Sequence, residues 1–160
     1  MINITVISVG KIKEKYFLSA IEEYEKRLKR YASVNLVELK DEAVPENLSE
    51  AEKCAVLKKE GARILEKIPQ NSFVTALCVE GKQLSSEELS DFLNNNTLNG
   101  KSSFTFIIGG SLGLSDEVKK RADFKLSFSK MTFPHRLMKV ILLEQIYRGF
   151  TIIEGKTYHK

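Results

Sequence analysis

Short runs of β-branched and aromatic residues alternate with stretches of helical periodicity along the whole chain. No other feature limits the fold so strongly. Residues 2–9, 34–39, 73–79, 104–108 and 124–128 read as strands, being short, apolar or alternating, and flanked by polar or glycine-containing turns. Residues 15–31 carry Phe17, Ile21, Tyr24 and Leu28 at helical spacing. Ser49-Glu50-Ala51-Glu52 and Ser85-Ser86-Glu87-Glu88 are capping-box patterns, and each opens a helix. The first of these helices runs to Ile68, and the second ends in Asn94-Asn95-Asn96. Ser115 caps a short helix, and the last helix runs from Pro134 to Arg148 and stops near Gly149. Pro134 fits the first helical position, where its missing N–H costs nothing. Residues 40–48 and 81–84 read as loops. Strand–helix alternation of this kind implies an α/β fold, a mostly parallel sheet with helices on its faces. Ligands in such sheets bind outside the carboxyl ends of the strands.

Two post-strand loops therefore stand out. Gly109-Gly110-Ser111-Leu112-Gly113 follows the fourth strand, and Ser129-Lys130-Met131-Thr132-Phe133-Pro134-His135 follows the fifth. The glycine loop fails as a dinucleotide fingerprint, because its spacing is G-G-x-x-G and it lies late in the chain. Gly100-Lys101-Ser102 fails as the end of a Walker loop, since Asn95 replaces the first glycine and a strand follows. A tight turn and a bare backbone for a ligand are both open to the glycines.

Size and charge narrow the class. With 160 residues, 42% hydrophobic and 29% charged, the chain is expected to form one soluble globular domain spanning residues 1–160. No apolar run approaches the roughly 18 residues of a membrane span, and the first residues lack a leader pattern. Cys54 and Cys78 form no C-x-x-C pair, so a cytoplasmic chain with reduced thiols is expected. Net charge is +4, but residues 101–160 hold 11 Lys+Arg against 5 Asp+Glu, whereas residues 1–100 hold 14 against 16. A basic segment beside ligand loops suits a polyanion, nucleic acid first, and a solvated surface equally well. Lys130, Arg136, Lys139 and Arg148 concentrate there as candidate phosphate contacts.

His135 and His159 are the only histidines, and neither stands at metal-ligand spacing, so no metal site is expected. No G-x-S-x-G element supports a serine hydrolase. His135 reads as a capping or packing residue. Lys156-Thr157-Tyr158-His159-Lys160 reads as a frayed tail by position, yet it offers a ring, an imidazole and a cation suited to a base and a phosphate.

Taken together, these blocks resemble the ribosomal large-subunit pseudouridine N3-methyltransferase family of the SPOUT class. The resemblance spans essentially the whole chain. It rests on Val9-Gly10-Lys11-Ile12-Lys13, Ile107-Ile108-Gly109-Gly110, Leu126 through His135, Glu144-Gln145-Ile146-Tyr147-Arg148, and Tyr158-His159-Lys160. It implies a C-terminal trefoil knot and a homodimer, for which surplus apolar residues of the last helix are available. It implies S-adenosylmethionine bound by Leu77, by Gly109, and by Phe128, Ser129, Lys130, Met131, Thr132 and Phe133. It implies that Tyr158 and His159 reach the active site of a partner subunit, with Arg148 near the substrate. Cys78 stands where the pattern has an acidic residue, Leu112 where a polar one is commoner, and Lys139 where arginine is.

The implied reaction is methyl transfer to N3 of a pseudouridine of large-subunit rRNA, in the assembled ribosome. His159 is then the candidate base, Tyr158 a stacking or hydrogen-bonding partner, and Arg148 a stabiliser of developing charge. Two rivals are a methyltransferase of the same fold acting on another base, and a noncatalytic ribosome- or RNA-binding module. A nicotinamide-dependent oxidoreductase is weaker, because its fingerprint is absent.

Overall fold

The structure is a computed structural model describing residues 1–160. Five strands form one parallel sheet: β1 (Ile2–Val9), β2 (Ala32–Leu39), β3 (Phe73–Gln83), β4 (Ser103–Ile108) and β5 (Phe124–Ser127), in the order β2-β1-β4-β3-β5. The helices are α1 (Lys15–Leu28), α2 (Glu50–Lys67), α3 (Ser86–Leu98), α4 (Asp116–Arg121) and α5 (His135–Ile153). None is long and apolar enough to cross a membrane.

Both faces of the sheet are covered, as a parallel sheet requires. Ile4, Val6, Phe104 and Phe106 pack with Ile21 and Leu28 of α1, Leu93 of α3, and Leu142 and Ile146 of α5. The alternate residues Ile7, Val9, Val74 and Ile107 pack with Ile64 of α2 and Val118 of α4. Strand order has a direct consequence for function: β4, β3 and β5 are neighbours, so the segments leaving their carboxyl ends converge. Asp123 fixes the start of β5, its N–H donating to the Val74 carbonyl and its carboxylate accepting the Val74 N–H, each at 2.8 Å.

Three expectations from the sequence are corrected here. Residues 81–83, read as a loop, continue β3, which resumes pairing with β5 at Lys82 after a register shift beyond Leu77. Gly81 permits this passage, since a Cβ there would lie 2.7–2.8 Å from the Leu126 backbone. Pro134 is the N-cap residue of α5, with an extended ψ of 138°, and His135 takes the first helical position. Finally, α5 runs through Gly149 to Ile153. It ends at Gly155, which has a φ of +66°. There the Lys156 and Gly155 N–H groups donate to the Thr151 and Ile152 carbonyls in a Schellman turn. Shorter bounds also apply: α1 stops at Leu28 and β5 at Ser127, whereas α3 reaches Leu98.

Gly149 serves close packing of α5 on α3. A Cβ there would approach Leu93 Cδ1 at 3.2 Å, and Ser90 Oγ donates to the Gly149 carbonyl at 3.0 Å. Gly149→Leu is expected to destabilise the protein by about 1–3 kcal/mol through overpacking. Urea denaturation checks this, and an unchanged midpoint contradicts it.

Candidate active site

A cavity of about 650 Å³ opens where the three segments converge. That is within the roughly 300–1,000 Å³ range of small-molecule sites. Leu77, Gly109, Phe128, Ser129, Met131, Thr132 and Phe133 line it. Lys130, named with them from sequence, is exposed and outside the lining.

Backbone chemistry builds the cavity wall. Gly110 and Gly113 form an antiparallel bridge, with the Gly113 N–H donating to the Gly110 carbonyl at 3.1 Å. A Cβ on Gly109 would collide with the Gly113 carbonyl oxygen, so this turn excludes every side chain at Gly109. In the third loop, Ser127 Oγ donates to the Ser129 carbonyl at 2.9 Å and Ser129 Oγ accepts the Met131 N–H at 3.0 Å.

Sequence reading missed the charged pair in the lining. Glu80 and Lys119 face the cavity and meet at 2.5 Å. The Lys119 hydrogen bond holds the Glu80 carboxyl below the usual carboxylate range, and Glu80 in turn raises Lys119. Glu80 thus brings a carboxylate to the strand segment where Cys78 replaces the expected acid. The Cys78 thiol is pushed up by burial. No signal short of the strand extension would have placed Glu80 there.

His135 lines the cavity and packs on Gly10, where a Cβ would lie 2.7 Å from its Nε2. Two of the sequence blocks that carried the resemblance therefore meet. Its Nε2 is buried without a partner, and burial pushes the imidazole down toward its neutral form. Lys139, read as a phosphate contact, is instead buried, with Ser8 Oγ at 3.3 Å and the Glu38 carboxylate at 3.6 Å. Desolvation lowers its pKa. Arg136 is tied to Glu14 at 2.9 Å.

The tail, frayed by its position in sequence, is folded against α3 and α5. Arg148, Tyr158 and His159 come together there, outside the lining of the 650 Å³ cavity of the same chain. Glu144 gathers them: its Oε1 accepts from Arg148 Nε at 3.0 Å and from the Tyr158 hydroxyl at 3.1 Å. The Arg148 guanidinium lies 4.8 Å from the Tyr158 ring centroid. Arg148 Nη1 lies 3.1 Å from His159 Nδ1, and Glu87 Oε1 lies 2.7 Å from His159 Nε2. A guanidinium only donates, so Nδ1 is the acceptor and Nε2 carries the proton given to Glu87. Glu87 was invisible as a partner, whereas Glu144 precedes Arg148 by four residues, a spacing that pairs charges on one helix face.

Burial and the adjacent Glu144 push the Tyr158 phenol up to about 12. It therefore stays protonated at neutral pH and serves as a donor, not a base. A phenol raised from its ordinary value of 10.0 adds stability that is present below that value and is lost as pH rises toward 12. Ultraviolet titration of wild type against Tyr158→Phe is expected to show this tyrosine ionising last. Ionisation near the ordinary value contradicts the placement.

The sheet order and the cavity beyond β4, β3 and β5 define a parallel α/β fold with a cavity of small-molecule size between its post-strand loops. Residues 2–159 match the family described as "Predicted SPOUT methyltransferase". The chain belongs to the SPOUT methyltransferase family. Its relatives include proteins named ribosomal RNA large subunit methyltransferase H. That of Alkaliphilus oremlandii is 61% identical over 158 residues, 99% of each chain. That of Clostridium kluyveri is 56% identical over 158 residues, again 99% of each. That of Carboxydothermus hydrogenoformans is 60% identical over 157 residues, 98% of this chain and 99% of that one. Among solved structures, a probable methylase family protein from Haemophilus influenzae matches with a TM-score of 0.52 at 13% identity. The match covers 99% of this chain and 70% of that one, and supports the fold alone.

Proposed function

We propose that the protein transfers a methyl group from S-adenosylmethionine to N3 of a pseudouridine in large-subunit rRNA, working in the cytoplasm on the assembled ribosome. Full-length similarity to methyltransferase H proteins supports the substrate, and the three-segment cavity is the observation that carries the reading. The lining fits the donor. Leu77, Leu126 and Phe128 offer an apolar wall for a purine, the glycine turn offers bare backbone, and Glu80 with Lys119 offers both signs of charge for an amino-acid end. When bound, the cofactor would supply a methyl group on a sulfonium, whose sulfur can leave as a neutral thioether with the C–S electron pair when an in-line nucleophile bonds to the methyl carbon.

The chain's own residues then have separable duties. The loops at Gly109 and at residues 128–133 orient the donor. His159 takes the N3 proton, for which Arg148 must release Nδ1; Glu87 holds the opposite ring nitrogen and so sets the tautomer. Arg148, once turned to the base, stabilises charge developing on it. Because the tail cluster does not line its own chain's cavity, a second copy supplies it, as a homodimer. Leu137 and Met131, exposed beside the cavity, suit that contact.

Labelled S-adenosylmethionine and ribosomes from cells lacking the protein test this reading. Label in large-subunit RNA is expected, greater for ribosomes than for free rRNA. No transfer to either substrate, with no cofactor binding, would replace it with the RNA-binding module.

A further inference from the structure

At the C-terminal end of α1 lies a cluster that neither the cavity nor the tail chemistry uses. Lys26, Arg27, Lys29 and Arg30 are all exposed. Arg27 pairs with Glu23 at 2.8 Å, whereas no carboxylate lies within ion-pair distance of Lys26, Lys29 or Arg30. The helix dipole accounts for cations at this end. It does not account for the rings beside them.

Arg27 sits 5.6 Å from the Tyr24 ring centroid and 5.7 Å from that of Tyr147. Arg30 is 6.0 Å from the Tyr31 centroid, and Lys156 is 4.9 Å from it on the same ring. Tyr31 contacts Tyr147 edge-on at 6.0 Å, and Tyr147 contacts Tyr158 at 4.9 Å. A continuous path of rings and cations therefore runs from the end of α1 to the Arg148–Tyr158–His159 cluster. Of the cations against these rings, Lys156 is paired with Glu154 at 2.6 Å and Arg148 with Glu144, whereas Arg30 has no carboxylate partner and, as a stacked guanidinium, still presents N–H groups at its edge beside the unpaired Lys26 and Lys29. That combination fits a phosphodiester backbone with unstacked bases.

We propose that this tyrosine–cation surface, centred on Lys26, Lys29, Arg30 and Tyr31, grips the phosphate backbone of the RNA substrate and leads it to the tail cluster. This rests on the RNA methyltransferase reading above. It assigns RNA contact to α1 instead of Lys139 and Arg136, which are engaged within the chain.

Lys26→Glu/Arg30→Glu tests the assignment by steady-state methylation of ribosomes. The expected result is a KM for ribosomes raised at least about tenfold, with kcat at saturating ribosomes and cofactor affinity within about twofold of wild type. The plot of log binding against log salt should lose about two in slope. Lys26→Arg/Arg30→Lys should restore both. Lys58→Glu/Lys59→Glu, on exposed α2 across the sheet, makes the same charge change elsewhere and should leave KM within about twofold. An unchanged KM in the α1 variant, or an equal rise in the α2 control, overturns the proposal. Absence of methylation by wild type would instead overturn the RNA reading beneath it.

Discussion

Gly109→Ala is expected to weaken S-adenosylmethionine binding by at least about tenfold, equivalent to roughly 1.4 kcal/mol, and to abolish most turnover. The reason is backbone geometry, not lost contact. The added Cβ falls on the Gly113 carbonyl oxygen, and Leu114 Cδ2 stands only 3.1 Å from it on another side. Backbone cannot swing aside as a side-chain end can, so the Gly110–Gly113 bridge must open. The wall of the cavity moves with it. Ile107 and Ile108, buried in the sheet just before, are untouched, so the far-ultraviolet spectrum and cooperative unfolding should persist. Calorimetric titration with the cofactor separates the cases. Wild-type affinity in a folded variant would mean that the glycine turn is not part of the donor site.

His159→Ala has the opposite signature. Cofactor affinity is expected to stay within about twofold, while kcat falls about 10²–10⁴-fold, the span of a lost general base. The imidazole lies outside its own chain's cavity, so its removal cannot reshape the donor site. Glu87→Gln gives a finer test of the same geometry. An amide can donate as well as accept, so it no longer dictates that Nε2 carries the proton. A drop in kcat with unchanged cofactor binding is expected there too, smaller than for the alanine variant. If His159→Ala turns over at the wild-type rate, the N3 proton leaves by another route, and the tail is only a positioning element.

Much of the scaffold was legible because the signals are local. Ser49 and Ser85 cap their helices with both reciprocal bonds of the capping box, set by residues three apart. The alternation of Ile4 and Val6 with Ile7 and Val9 reports two buried faces directly. What failed was decided by distant residues. Gly149 looks like a helix stop in one dimension, yet α3 packing requires it and Gly155 is the stop. Gly81 looks like a turn, yet a missing Cβ is what lets β3 run past β5. Lys139 reads as a phosphate contact, yet it is buried beside Ser8 and Glu38. Two of the cavity-lining loops were legible as post-strand loops and Leu77 only as part of a pattern of blocks, whereas nothing in that pattern pointed to Glu80, Lys119 or Glu87. Charge density points to the last third of the chain, yet Arg136, Lys139 and Arg148 there are held by carboxylates of the chain, whereas Lys26, Lys29 and Arg30 at the end of α1 have no such partner.

Nucleoside mass spectrometry of the large-subunit RNA, after methylation of ribosomes from cells lacking the protein, identifies the modified atom. A single new product is expected, a pseudouridine methylated at N3, and most of it should be lost when Gly109→Ala replaces wild type. A methyl group on a ribose, on another base, or on several nucleotides would contradict it.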